Sequence, residues 1–404
     1  MKEGQYHKTG RPKKVALVHD FLVSFGGAER VLQALASLYP DAPIYTLLQD
    51  EAIVERSFPG REIRTSFLQS FPAWLRRRYR ALLPLYPVAI ETLDLREFDL
   101  VISSSGAWSK GIITRLHTKH IAYVHSPMRY AWEGRETYLD ESLPWFIPRL
   151  LMRLWLSYMR LWDAEAADRP DILIANSEYT RDRIMKYYRQ EASVVYPPVL
   201  PLSGSETVTV LLRNERKHFL VVSRLTRSKQ IGPVIEAFNK LGFPLVVVGS
   251  GREESALRRI AGEHISFAGK VDDDRLGRYY REARALIFPS EEDFGMVAVE
   301  ALVSGTPVIA YEYGGIREIL RVGETGEVFR SQTPEVIAEA VKRFIEKEAQ
   351  GGYSPETLIR SVETFSRASF ESGIRKAAGE TEYGESSGSA ASFKKDTSIF
   401  QAHK

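Results

Sequence analysis

There is no cysteine anywhere in this chain of 404 residues. That excludes a disulfide framework, a thiolate metal site and a cysteine nucleophile, and it is compatible with a reducing compartment. Net charge is nearly absent too. The 55 Lys and Arg against 52 Asp and Glu leave +3, too little for a surface that binds nucleic acid through bulk electrostatics. The first residues, Met1–Lys14, are polar and basic with no apolar core, so no secretory signal is expected there and the chain is expected in the cytoplasm. A long uncharged apolar run is also missing. The nearest candidate, Leu143–Trp162, contains Arg149, Arg153 and Arg160 and two prolines near its start. Arginines at that density are costly in hydrocarbon, so an amphipathic helix is expected there rather than a membrane span. No repeat of fixed period is visible.

What the chain does have is alternation. Short β-branched runs alternate with helical patterns, which predicts an α/β fold of parallel sheets covered by helices. Strands are expected at Val15–His19, Ile44–Leu47, Leu100–Ser103, Ile121–His125, Ile172–Ala175 and Val194–Tyr196. Helices are expected at Ala28–Leu38, around 72–83 and 144–167, and at Thr180–Tyr188. Pro197-Pro198-Val199-Leu200-Pro201 and the Ser/Gly/Thr stretch after it interrupt both periodicities and place a domain boundary there. The alternation then restarts. Strands are expected at Phe219–Ser223, Leu245–Val248, Ile265–Ala268, Leu286–Pro289 and Pro307–Ala310. Helices are expected at Pro233–Leu241, Glu253–Ala261, Arg275–Ala283, Met296–Ser304 and Pro334–Glu348. Two doubly wound domains, 14–198 and 199–364, would face one cleft at the C-terminal ends of their strands. The Ser-, Gly- and Lys-rich tail 379–404 is expected to be disordered.

The most informative stretch is Glu292-Asp293-Phe294-Gly295-Met296-Val297-Ala298-Val299-Glu300. A glycine turn after an apolar run opens a helix there, so free N–H groups at a positive helix end point into a cleft flanked by carboxylates. That suits a ligand with phosphate at one end and a polyol at the other, such as a nucleotide-sugar. Glu300 lies in an otherwise apolar helix, where a carboxylate needs a partner or a ligand. Arg224 and Lys229, just past a strand end, are placed to clamp a diphosphate, the first as a fork and the second as a point charge. Gly26-Gly27 opens a helix after His19-Asp20 and permits close approach to a bulky ligand, and His125 ends a strand at the cleft edge. Gly249-Ser250-Gly251 lacks the third glycine of a dinucleotide fingerprint, because Glu254 stands there. Asp272-Asp273-Asp274 reads as a helix cap matched to the dipole rather than as a metal site.

Taken together these residues resemble the retaining glycosyltransferases of GT-B architecture, specifically family 4, over residues 14 to 375. The most specific part is the Glu-x7-Glu spacing of Glu292 and Glu300, followed by Ser-Gly-Thr-Pro-Val-Ile-Ala and Gly314-Gly315. The Gly26-Gly27 loop, Arg224 with Lys229, and Ala175-Asn176-Ser177-Glu178-Tyr179 are also similar. His125-Ser126-Pro127-Met128-Arg129-Tyr130-Ala131-Trp132 looks like members that build bacterial surface polysaccharides, many of them mannosyltransferases.

The resemblance implies roles for these residues. Glu292 would hold a donor-sugar hydroxyl and Glu300 the nucleotide ribose. Arg224 and Lys229, with the amides of Phe294, Gly295, Met296 and Val297, would neutralise the diphosphate. His125 would touch the transferred sugar, Gly26 and Gly27 would lie beside it, and the base would be read by the Gly269–Asp272 loop that contains Val271. A helix over 365–378 would return to the first domain. The implied reaction moves a hexose, mannose from GDP-mannose by preference, to a saccharide or polyprenyl-diphosphate-linked saccharide, with no metal and no cofactor. A UDP-sugar donor is the alternative, and a GT-B epimerase would need more acid–base groups than are present. Phe71–Arg80 and Leu143–Trp162 mix arginine with tryptophan. They read either as peripheral contact with anionic lipid at the inner face of the cell membrane or as ordinary helix packing.

Overall fold

The computed structural model describes residues 13–133, 149–199 and 216–380. Several expectations lie outside the described residues: the polar N-terminus through Pro12, residues 143–148 of the amphipathic stretch, the linker from Leu200 onward, and the tail beyond Glu380. The Arg80 side chain lies outside them as well.

Thirteen strands are described: β1 Val15–His19, β2 Ile44–Thr46, β3 Ile63–Thr65, β4 Leu100–Ser105, β5 Lys119–Val124, β6 Ile172–Ala175, β7 Ser193–Val194, β8 His218–Val222, β9 Leu245–Val248, β10 Ile265–Gly269, β11 Ala283–Phe288, β12 Val308–Tyr311 and β13 Gly326–Phe329. They form two sheets, β3-β2-β1-β4-β5-β6-β7 and β10-β9-β8-β11-β12-β13, parallel throughout. Both sheets reverse direction of winding at their first strand, between β1 and β4 and between β8 and β11, and a crevice opens outside strand C-termini at such switch points. The strands are buried on both faces because helices cover both sides: all six residues of β4 are buried.

Two strands, β3 and β13, are additional to the expected ones. They are three and four residues long and sit at sheet edges. The helical material expected around 72–83 is a broken run: Ala73–Arg76 is α-helical, Tyr79–Leu85 is a 3-10 turn that contains Pro84, and Tyr86–Glu91 resumes as α-helix. Proline removes a backbone donor, which accounts for the interruption.

The chain crosses between the sheets twice. After β7 it passes through Val199, whose N–H bonds to the Phe365 carbonyl at 3.0 Å. The final helix, Arg367–Ala378, then packs Phe370, Ile374 and Ala378 into the core of the first domain beside Leu32, Leu35 and Tyr123. Phe370 and Ile374 are fully buried, each contributing on the order of 1.5–3 kcal/mol.

Candidate functional site

In the second domain, β11 runs to Phe288 and a short loop then carries Glu292 into a bridge with Gly314. The helix that follows begins at Met296, where it is expected. Gly295 is its N-cap, at φ +108, a conformation in which a side chain would be strained. Phe294 is buried against Tyr196 and Phe365, which anchors the turn. The backbone N–H groups of Phe294, Gly295, Met296 and Val297 donate to no described residue. They are the unsatisfied donors of a helix start, at its positive end.

Glu292 accepts from Lys229 Nζ at 2.7 Å and from Ser290 Oγ at 3.1 Å. Burial works to raise its pKa, but the Lys229 charge and hydrogen bond outweigh that and hold it below the ordinary carboxylate value. Lys229 lies on a 3-10 turn just past β8. Arg224, at the start of the same loop, is exposed and makes no ion pair with a described residue. Glu300, one face further along the helix, is only 7% exposed and accepts from Tyr280 Oη at 2.9 Å. Burial raises its pKa, against the pull of Arg30 and the Tyr280 hydrogen bond. A solvated face is therefore not its environment. A cavity of about 350 Å³ opens beside it, lined in part by Arg30, Met296, Pro198, Val199 and Arg367, within the range of small-ligand sites. Val271, half-buried against the second-domain core, does not line this cavity. Asp272 caps the helix Asp273–Glu282 through the Arg275 N–H at 2.8 Å.

The first domain contributes from the opposite side. Gly26 caps the helix Gly27–Leu38, and a Cβ on Gly27 would stand 2.9 Å from the Met296 sulfur. The N-termini of two helices thus converge across the cleft, one from each domain. His125, after β5, has its Nε2 2.8 Å from Ser104 Oγ at the end of β4. Burial, helped by the nearby charge of His19, brings its pKa down to about 3, so it is neutral at physiological pH.

Several polar residues at the site have partners that the sequence does not reveal. The Asp20 carboxylate accepts four backbone N–H groups, from Gly106, Ala107, Trp108 and Ser109, at 2.7–3.1 Å. Asp293, beside Glu292, is held from the first domain by Arg183, and by Arg129 through Nε at 3.0 Å. Ser177 Oγ donates to the Asp293 carbonyl at 2.6 Å. Glu318 accepts the N–H groups of Glu178 and Tyr179 at 2.8 Å each. Ser177 therefore clamps the Glu292 loop, while Glu178 and Tyr179 hold the short helix Ile316–Ile319 behind it. Arg30 bridges the cleft as well, 2.8 Å from Asp273 and 3.9 Å from Glu300. Only contacts distant in sequence reveal these partners.

Compared with known proteins, residues 25–200 match the family described as Glycosyltransferase Family 4, and residues 207–360 match Glycosyl transferases group 1. An uncharacterized glycosyltransferase of Methanocaldococcus jannaschii is 33% identical over 144 residues, which are 33% of this chain and 37% of that protein. The GDP-mannose-dependent alpha-(1-6)-phosphatidylinositol monomannoside mannosyltransferase of Mycobacterium tuberculosis is 28% identical over 205 residues, 44% of this chain and 53% of that protein. The chain thus spans about a third to about a half of the length of these relatives. Among solved structures, Anabaena Alr3699/HepE in complex with UDP-glucose has a similar fold, with a TM-score of 0.66 at 18% identity, covering 92% of this chain and 100% of that one.

Proposed function

The chain belongs to glycosyltransferase family 4, with GT-B architecture, and from that premise we propose that it is a retaining hexosyltransferase. It takes mannose from GDP-mannose and delivers it to a saccharide or polyprenyl-diphosphate-linked saccharide, without a metal. One observation carries the reading: helix amides at Phe294–Val297 that donate to no described residue follow directly on the Glu292 that pairs with Lys229, and Arg224, with no ion pair to a described residue, lies in the same loop as that lysine. This is an anion seat next to a hydroxyl acceptor.

The chemistry follows from where charge develops. Breaking the anomeric C–O bond puts negative charge on the diphosphate and positive charge on the sugar ring. Amides and cations already in place stabilise the first without reorganising. The departing phosphate oxygen accepts the acceptor's proton, so attack and departure share one face and configuration is retained. The contacts of Asp293, Ser177 and Arg30 across the cleft hold the lobes together and exclude water from the donor.

The preference for GDP-mannose is supported by the His125–Trp132 string and by the named substrate of the mycobacterial relative. A UDP-sugar is the rival donor. A thermal-shift panel of GDP, UDP, ADP and their sugars tests both, because stabilisation grows with saturation. GDP-mannose should stand out; a larger shift with UDP-glucose would transfer the assignment, and no shift with any of them would remove it.

The acceptor face of the first domain supports a membrane-bound substrate. The helix Arg149–Ala167 buries Leu156, Met159 and Trp162 but leaves Leu150, Leu151, Leu154, Tyr158 and Leu161 between 57% and 68% exposed. Trp74, in the arginine-rich run Trp74–Arg78, is 63% exposed. Apolar side chains mixed with arginine suit an anionic lipid surface. No described helix is long and apolar enough to cross a membrane. Cosedimentation with phosphatidylglycerol vesicles should be lost when Arg76, Arg77 and Arg78 become Glu together with Leu154→Glu; undiminished binding would return this surface to ordinary helix packing.

A further inference from the structure

A line of buried polar groups runs behind His125. Glu29 accepts from the Gly26 N–H through Oε2 at 2.8 Å, and its Oε1 lies 3.5 Å from His19 Nε2. His19 Nδ1 lies 3.1 Å from both the carbonyl oxygen and the Oγ of Ser104. Ser104 Oγ in turn lies 2.8 Å from His125 Nε2. The side chains of His19 and Ser104 are almost completely buried, and Glu29 is nearly so. His19, Ser104 and His125 stand at the C-terminal ends of β1, β4 and β5, and Glu29 in the first turn of the helix Gly27–Leu38.

The direction of each bond follows from what each atom can do. A carbonyl oxygen only accepts, so His19 Nδ1 carries a proton. Its Nε2 faces a carboxylate, where a lone pair would be repelled, so that nitrogen is protonated too and His19 is a cation paired with Glu29. Burial alone would lower the His19 pKa, but the Glu29 hydrogen bond and charge, with Asp20 nearby, raise it above the ordinary value. The proton on His19 Nδ1 also faces Ser104 Oγ, so the serine turns its own hydrogen to its other neighbour. Ser104 therefore donates to His125 Nε2, and the neutral imidazole keeps its hydrogen on Nδ1. That nitrogen meets no described residue within hydrogen-bonding distance.

We propose that Glu29, His19 and Ser104 are positioning residues that hold His125 in the Nδ1–H tautomer, so that the cleft is offered a hydrogen-bond donor rather than an acceptor. The inference rests on the reading of His125 as the residue beside the transferred sugar. It adds that the sugar presents an oxygen lone pair to His125. It also makes the Gly26-Gly27 loop part of the same device, because Glu29 holds Gly26 with one oxygen and His19 with the other. The line is buried, so each member fixes the hydrogen position of the next.

The experiment is 15N NMR of the full chain labelled at histidine, which reads tautomer and charge at each ring nitrogen. The His125 and His19 signals are assigned by their loss in His125→Asn and His19→Gln. At about pH 7 the expected pattern is His125 neutral with hydrogen on Nδ1 and His19 doubly protonated. In Ser104→Ala the His125 tautomers should mix, and in Glu29→Gln His19 should lose its second proton. In Ser104→Ala kcat should fall about two- to tenfold, the worth of one lost hydrogen bond, with the donor KM nearly constant. A residue that merely holds the loop would lower thermal stability and leave the tautomer alone. His125 found as the Nε2–H tautomer or as imidazolium in the unmutated protein overturns the proposal without any variant needing to fold. Unimpaired transfer by His125→Ala would instead remove the role of His125 at the sugar, while the NMR pattern still decides the line itself.

Discussion

Replacing Glu292 with glutamine separates binding from turnover, because its partner is known. In the protein without donor, Lys229 Nζ spends its charge on Glu292 Oε1 at 2.7 Å. The two side chains are 19% and 30% exposed, between a surface pair and a buried one, so losing the pair costs about 1 kcal/mol of stability. For a domain of this size that lowers Tm by about 2–4 °C. Glutamine also frees Lys229 for the diphosphate, so the Kd for GDP should be unchanged or up to about tenfold tighter. Transfer should move the other way. A charged hydrogen bond to the sugar is worth about 1.5–3 kcal/mol, so kcat/KM should fall by about 10- to 150-fold. Calorimetry with GDP and a radiolabelled-donor assay on the same preparation read both quantities. GDP binding that weakens in step with activity, or turnover like that of the unmutated protein, would refute the reasoning.

Further expectations follow from single contacts. Gly27→Ala puts a Cβ about 2.9 Å from the Met296 sulfur; the thioether can yield, so Tm should hold while kcat/KM drops about tenfold, and Met296→Ala in the same chain should restore it. Because the Glu300 pKa is raised, its protonated form is favoured by folding; that contribution is full below its ordinary 4.5 and fades as pH climbs through the raised value. Glu300→Gln should therefore be at least as stable as the unmutated protein at about pH 8, with the gap closing near pH 4, while GDP binding weakens; urea midpoints at both pH values check the sign. Asp163 pairs with Lys110 where the two side chains are 0% and 1% exposed, and it also accepts from Trp132 Nε1 and Tyr188 Oη at 2.8 Å each. Asp163→Ala strands a buried ammonium, so a loss of about 3–5 kcal/mol is expected in urea unfolding; an unchanged midpoint would contradict it.

The sheet strands were legible because a strand covered on both faces must be apolar throughout, as Leu245–Val248 is. β3 and β13 were not, because an edge strand of three or four residues has too little pattern to separate it from a loop. At the site, Glu300, Arg224 and Lys229 could be picked out because each breaks a local rule: a carboxylate in an apolar helix, or cations gathered past a strand end. Ser104 breaks none. It ends a strand as Ser103 and Ser105 do, and only its neighbours His19 and His125, 85 and 21 positions away, distinguish it. The same holds for Asp20, whose four amide partners lie 86 to 89 residues on. Sequence periodicity reports burial and local conformation, whereas polar partnership across a sheet is settled by topology.

The central claim is that an activated sugar is held by its diphosphate where two helix starts meet. The most direct measurement is a crystal structure with GDP-mannose diffused in. Phosphate oxygens are expected on the amides of Gly295, Met296 and Val297 within reach of Arg224 and Lys229, with the ribose at Glu300 and the mannose between Glu292 and His125. Density for the nucleotide anywhere else, or a cleft that excludes it, would contradict the account.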